Sequence, residues 1–292
     1  MNLSSFLLSP ELFESLPHKS LEELRSYILT KGEEWFDGCP EEAVVIKKNL
    51  TRLGVPHDNA LVWQVQTHVL LHYYEKLLPF CLAPRDFHGY LMERVAMPPE
   101  FAALKADLGR GNGVVLAVCH FGAVECLGPA LAARGMGITG ALRFSTMQLS
   151  TTTADRAAEL AASGLFAPVH FIEIGSGQSR VALDMAAVLR RGEMLLAVFD
   201  EKTNYSVPVS LFGKQVLGGA GLDRLVRFAR EGSAVWSAFV VRSDSESYEV
   251  RLRRHKGDGP ELIQSLYNGL EAVCAPHCAQ WYFLHEEIPF VK

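Results

Sequence analysis

One histidine in this chain stands where its type and surroundings suit it to move a proton. The run Val114-Val-Leu-Ala-Val-Cys119 is apolar throughout, His120 ends it, Gly122 permits a sharp turn, and Glu125 follows on the next segment. An unbroken apolar run of this length predicts a strand buried on both faces. Ligands and reacting groups collect at the carboxyl ends of strands in open α/β sheets, and a helix beginning there offers free N–H groups to negative charge. An imidazole titrates near neutral pH. A carboxylate on its second nitrogen fixes the tautomer and stabilises the imidazolium. With Glu125 in that role, His120 could take a proton from an alcohol or amine attacking a thioester or ester carbonyl, without a serine or cysteine nucleophile. The spacing alone carries little, and the alternative is a capping or core histidine with a surface glutamate. The strand-turn-helix setting favours the chemical reading.

The elements that must position this pair divide into two stretches. The first hundred residues read as helices. Ser20-Leu21-Glu22-Glu23 has the form of a capping box opening a helix with Leu21, Leu24 and Ile28 on one side. Residues 41–53 and 60–78 continue the pattern, and Pro84 and Pro98-Pro99 punctuate it. From about Gly111 strands and helices alternate. Strands are predicted at 113–119, 138–142, 168–174, 194–199, 234–241 and 248–254, the last with the alternation of an edge strand. Helices are predicted at 124–134, 154–163, 180–191, 221–231 and 261–273. The order implies an α/β fold with a mixed central sheet flanked by helices, preceded by an N-terminal helical subdomain. The division expected is 1–105 for the subdomain and 106–292 for the core.

His120-Phe121-Gly122-Ala123-Val124-Glu125 resembles the H-x4-D/E motif of the lysophospholipid acyltransferase superfamily, in the branch of the lipid A late acyltransferases and phosphatidylinositol mannoside acyltransferases. Further stretches fall in the same order. Arg143 resembles the arginine of the family's second block, and Phe199-Asp200-Glu201 its proline-aspartate-glutamine element. Val207-Pro-Val-Ser-Leu-Phe212-Gly213-Lys214 resembles its V-P-F-F-G segment, followed by Gly219-Ala220-Gly221 and then Ala238-Phe239-Val240. Pro276, Gln280, Trp281 and His285 resemble its terminal signature. The likeness spans roughly residues 105–288. It implies His120 as general base, Glu125 orienting it, and an acyl thioester on carrier protein or coenzyme A as donor. It also implies substrate contacts at Asp200, Glu201, Phe212 and Gly213. Arg143 would hold an acceptor phosphate or donor group, or pair with Asp200.

The chain departs from that pattern in places. Ala123 and Val124 replace the common Asn and Trp, and His285-Glu286-Glu287-Ile288 carries anions where the lipid A enzymes carry cations. Such a segment should repel an anionic lipid surface, so a small polar acceptor fits better than lipid A. Gly175 and Gly177 lie in Glu173-Ile-Gly-Ser-Gly-Gln-Ser-Arg180, between a predicted strand and helix, where N–H groups could cradle a pantetheine phosphate; a plain turn is the alternative, since no third glycine or Lys-Ser/Thr follows. Ser145, Ser150 and Thr151–Thr153 form a polar stretch, a pocket lining or a solvated loop. His68, His72, Tyr73, Tyr74 and Phe80 read as packing, or as the wall of an acyl pocket.

The remaining features bound the partners. A net charge of −5 disfavours DNA or RNA as a general partner. Only a local cluster at Arg224, Arg227 and Arg230 would extend the donor range to an aminoacyl-tRNA. Six scattered cysteines suit a reducing cytoplasm, and Cys274, His277 and Cys278 lack a second ligand pair, so no metal is expected. Residues 61–82 are the most apolar helix but contain Gln64, Gln66, His68, His72, Glu75, Lys76 and Pro79, which argues against a span and leaves at most peripheral membrane contact. No secretory signal is legible, so a cytoplasmic protein is expected, with no bound cofactor. The function implied is acyl transfer to a hydroxyl or amine of a small polar or lipid-like acceptor. A thioesterase-like hydrolase with the same pair, or a non-catalytic lipid- or metabolite-binding protein, remain as alternatives.

Overall fold

The computed structural model describes residues 2–142, 147–174, 180–202, 206–219, 221–222, 233–244 and 247–291, with backbone alone at 147–149 and 244. It is an α/β fold with a mixed seven-stranded sheet, helices around it, and further helices at the N-terminus.

The N-terminal layer comprises α1 (Leu3–Leu7), α2 (Pro10–Ser15), α3 (Leu21–Gly38), α4 (Pro40–Leu53), α5 (Asn59–Cys81) and α6 (Pro84–Arg94). The capping box forms as the sequence predicts: the Glu23 N–H donates to Ser20 Oγ while the Ser20 N–H donates to the Glu23 carboxylate. Leu24 and Ile28 of α3 are buried. In α5 every residue from Val69 to Glu75 is buried, so this stretch of the helix is enclosed on all sides by protein, while Trp63 nearer its start is exposed. That enclosure accounts for its high apolar content. No helix among the described residues is long and apolar enough to cross a membrane.

Downstream lie β1 (Val95–Ala96), α7 (Phe101–Gly109), β2 (Val114–Gly122), α8 (Leu127–Ala132), β3 (Ile138–Leu142), α9 (Met147–Ala162), β4 (Val169–Glu173), α10 (Val181–Arg190), β5 (Met194–Val198), β6 (Val207–Leu211), β7 (Lys214–Gly218), β8 (Ala234–Asp244), β9 (Ser247–His255) and α11 (Gly259–His277). Strand order in the sheet is β1-β9-β8-β2-β5-β3-β4, and β6 and β7 form a separate hairpin. β2 lies between β5 and β8, parallel to both, and its residues from Val114 to Cys119 are all buried, as an unbroken apolar strand requires.

Several details depart from the sequence reading. β9 is not an edge strand over its full length, because β1 adds to it at Tyr248 and Glu249. The stretch expected as one helix over 124–134 is a 3₁₀ turn, Val124–Cys126, followed by the six-residue α8 with Pro129 near its start. The β6–β7 hairpin was not foreseen; its two-residue loop is Phe212-Gly213, both in the left-handed region (φ 50° and 68°). The expected boundary at 105/106 falls inside α7. The two stretches also share one hydrophobic core, and Asn49 of α4 donates to the carbonyls of Leu284 (3.0 Å) and Glu286 (2.6 Å).

Candidate active site

The register of two parallel strands builds the site. Val118 of β2 pairs with Val198 of β5, so the residues two further along each strand, His120 and Asp200, fall side by side at the carboxyl end of the sheet. Asp200 Oδ1 accepts from His120 Nδ1 (3.0 Å), and Oδ2 accepts from the His120 backbone N–H (3.0 Å). The indole Nε1–H of Trp281 donates to Oδ2 as well (3.2 Å). Trp281 is brought there by an antiparallel bridge to Phe121.

A carboxylate can only accept, so the Nδ1 proton is fixed on that side and Nε2 of the neutral ring keeps its lone pair. The Asp200 side chain is fully buried and that of His120 is 22% exposed. Burial would lower the basicity of His120; the adjacent charge and hydrogen bond of Asp200, with Glu201 and Glu125 beyond it, outweigh burial and raise its pKa above the ordinary 6.5. The open Nε2 lies 3.8 Å from the half-exposed Glu201 carboxylate, beyond hydrogen-bond reach. Among the described residues no serine, threonine or cysteine hydrogen-bonds to Nε2. Cys119 is buried with its thiol pushed well up by burial and by Asp200. The recess behind Asp200 is lined in part by Tyr267, Trp281 and Phe283 and measures about 10 Å³.

Two packing features hold the imidazole in place. Gly122 adopts φ +57°, and a Cβ there would lie 1.8 Å from the Val240 carbonyl oxygen, so only glycine lets the chain turn beside β8. Phe283 meets the His120 ring edge-on at 4.9 Å between centroids, and Tyr282 flanks it at 6.0 Å. The floor is clamped by Arg242 of β8, which makes two hydrogen bonds to the buried Glu75 of α5 (2.6 and 2.7 Å). Its backbone is paired in both directions with the Gln280 amide (2.9 Å each).

Glu125 is placed otherwise than expected. Its Oε1 lies 3.2 Å from His72 Nε2 and 3.1 Å from Lys76 Nζ, both on α5, so the orienting place on His120 belongs to Asp200. The cause is the 3₁₀ turn at 124–126, which directs Glu125 toward α5. Its charge still acts on His120 through space. His72 is buried, and burial, with Lys76 and His120 nearby, holds its pKa well below 6.5, so the ring that lies against Glu125 is neutral.

The other expected residues separate. Asp200 and Glu201 flank the imidazole. Phe212 and Gly213 turn the hairpin, where the Phe212 N–H donates to Glu271 of α11 (2.6 Å), with no hydrogen bond to His120. Arg143, Gly175, Gly177, Ser145 and the Arg224, Arg227 and Arg230 cluster lie outside the described residues. Among the described residues no group of three or more His, Cys, Asp and Glu side chains could hold a metal ion.

Trp281 was noted in the sequence only as part of a terminal pattern, and its role as a donor to Asp200 was missed. Lys76 was noted only as a polar residue in an apolar helix. Two adjacent charges, Glu75 and Lys76, in an otherwise apolar helix were the signal available. No protein-family model matches this chain, and no curated protein matches it in sequence.

Proposed function

We propose that the chain is an acyltransferase resembling the lysophospholipid acyltransferases, with His120 as general base and Asp200 as the carboxylate that orients it. The observation that carries this reading is the double hold of Asp200 on His120, through Nδ1 and through the backbone N–H, with no serine, threonine or cysteine hydrogen-bonded to Nε2 among the described residues. A histidine so held serves a proton on a substrate rather than a proton on a neighbouring serine or cysteine.

In the reaction the acceptor hydroxyl or amine hydrogen-bonds to Nε2. As its oxygen or nitrogen bonds to the thioester carbonyl carbon, its proton passes to Nε2, and the imidazolium is stabilised by Asp200. Collapse of the tetrahedral adduct breaks the carbon–sulfur bond, and the departing thiolate takes the proton back. The donor, an acyl thioester on carrier protein or coenzyme A, comes from the sequence resemblance, and the small polar acceptor from the departures from it at Ala123, Val124 and Glu286-Glu287. Contact of Arg143, Gly175 and Gly177 with either substrate belongs to the same proposal, as does a cytoplasmic location.

The test is mass spectrometry of the wild type and His120→Ala, each with a panel of acyl-coenzyme A and acyl-carrier donors and pooled small amines and alcohols. An acyl mass added to an acceptor by the wild type, and lost in the variant, is the expected result. Free acid alone would reassign the pair to thioester hydrolysis, and equal product from both proteins would remove His120 from the mechanism.

A further inference from the structure

The Glu125–His72–Lys76 cluster is not used by the reaction as written, yet it borders the base. The His72 ring lies 6.4 Å from the His120 ring and 4.8 Å from Tyr282, between centroids. With Nε2 3.2 Å from Glu125 Oε1, the buried Nδ1 of His72 has no hydrogen-bond partner among the described residues. An orphaned buried polar atom destabilises a fold. The histidine therefore serves the contact it does make, the one on Glu125. Lys76 is largely enclosed too, its charge offset by Glu125.

We propose that Lys76 and His72 of α5 are positioning residues for the base: by holding Glu125 beside the imidazole but off it, they set how readily His120 takes and releases its proton. This deepens the acyltransferase reading and rests on it for the meaning of the proton, though not for the electrostatics. The charged and titratable groups around His120 come from four places: Asp200 and Glu201 after β5, Glu125 on the 3₁₀ turn, His72, Tyr73 and Lys76 on α5, and Tyr282, His285 and Glu286 near the C-terminus. Arg242 reaches His72 from β8. Of these, Asp200 fixes geometry by direct hydrogen bonds. Glu125 acts by charge alone, and Lys76 is the cation against it. Removing each should therefore move the imidazole in opposite directions, which a mere packing role would not do.

The experiment is a histidine-labelled NMR titration of the full chain, with the His120 resonance identified by its loss in His120→Gln. Glu125→Gln should shift the His120 titration down, and Lys76→Met should shift it up, each by at least about 0.3 pH unit, the effect of one charge across a partly solvated site. Lys76→Arg, which keeps the charge, should leave it near wild type. Should Lys76→Met not fold, Lys76→Gln carries the same comparison. Either charge-removing variant leaving the titration within 0.2 unit, or both moving it the same way, overturns the proposal. The readout is the imidazole itself, so a failure to find acyl transfer is distinguishable from a failure of this tuning.

Discussion

The two ends of the sheet carry the same device put to different uses. At the amino end, the buried carboxylate of Asp107 on α7 accepts from the indole of Trp236 (2.9 Å) and from Arg254 (2.9 Å), with Arg110 closing a third side. At the carboxyl end, the buried carboxylate of Asp200 accepts from the indole of Trp281 and twice from His120. Both hold a carboxylate out of water with a tryptophan N–H and further donors. They differ in what the second partner can do. Arginine is always protonated, so the Asp107 cluster is a fixed joint between α7, β8 and β9. Histidine can give up its proton, and its far nitrogen is free, so the Asp200 cluster can change state. A buried carboxylate is thus a poor sign of function; a titratable partner with an open atom at the carboxyl end is a better one.

The comparison can be broken in several ways. The largest effect expected is at His120→Ala, where acyl transfer should fall by roughly 10²–10⁴-fold, the range for loss of a general base. Asp200→Asn keeps the shape but exchanges an acceptor for a donor, and should cost about 10²-fold, read as initial rate per folded protein. A loss of less than threefold there would return the orienting role to another group. Asp107→Asn should do the reverse. Its rate should stay within twofold of wild type, while denaturant unfolding shows a loss of about 1–2 kcal/mol from the hydrogen bonds that the buried amide no longer accepts, since Arg110 and Arg254 are themselves exposed. Trp281→Phe removes one neutral donor from Asp200 and should cost roughly tenfold or less in rate. If it matches Asp200→Asn, the indole matters more than this account allows.

Acidity gives the smallest and most distributed effect. Burial holds His255 and His285 near pKa 4 against an ordinary 6.5, so the folded chain excludes protons that the unfolded chain binds. Their contribution to stability is whole above about pH 6.5 and is lost as the pH falls toward 4. His120, with its pKa raised, works the other way: its contribution is present below 6.5 and fades as the pH rises through its folded value. His68 and His72 are held down by burial in the same way, so four depressed histidines against one raised one predict a melting temperature that declines from pH 6.5 to 4. A curve that is flat or rising over that interval would show that these histidines are open to protons in the folded state.

Much of this was legible in the chain because it is local. β3 begins and ends at Ile138 and Leu142 as the apolar run does, and Ser20 and Glu23 cap α3 as their spacing requires. His120 stands out because an apolar strand cannot end on an imidazole without placing it at the sheet's carboxyl edge. Its partner was misread because the motif is counted along the chain, whereas the contact is made across it. Asp200 lies 80 residues away, and only the pairing of Val118 with Val198 brings it alongside. Glu125 is close in sequence, but the turn that carries it is a 3₁₀ segment, whose direction five residues of sequence do not specify. Phe212 is the same lesson in reverse: a non-glycine residue at φ 50° hides a hairpin that residue preferences would not place there.

The grip of Asn49 on the carbonyls of Leu284 and Glu286 joins residues 235 and 237 positions apart. A chain emerging from the ribosome at about 5–20 residues per second would expose α4 for roughly 10–50 seconds before its partner segment exists. The first helices to be made are therefore among the last to be finished, and their apolar faces wait uncovered through most of synthesis. Expression of this protein should accordingly respond to chaperone supply and to translation speed more than its final stability would suggest, and a stop codon placed before residue 284 should yield aggregate rather than a shorter folded chain.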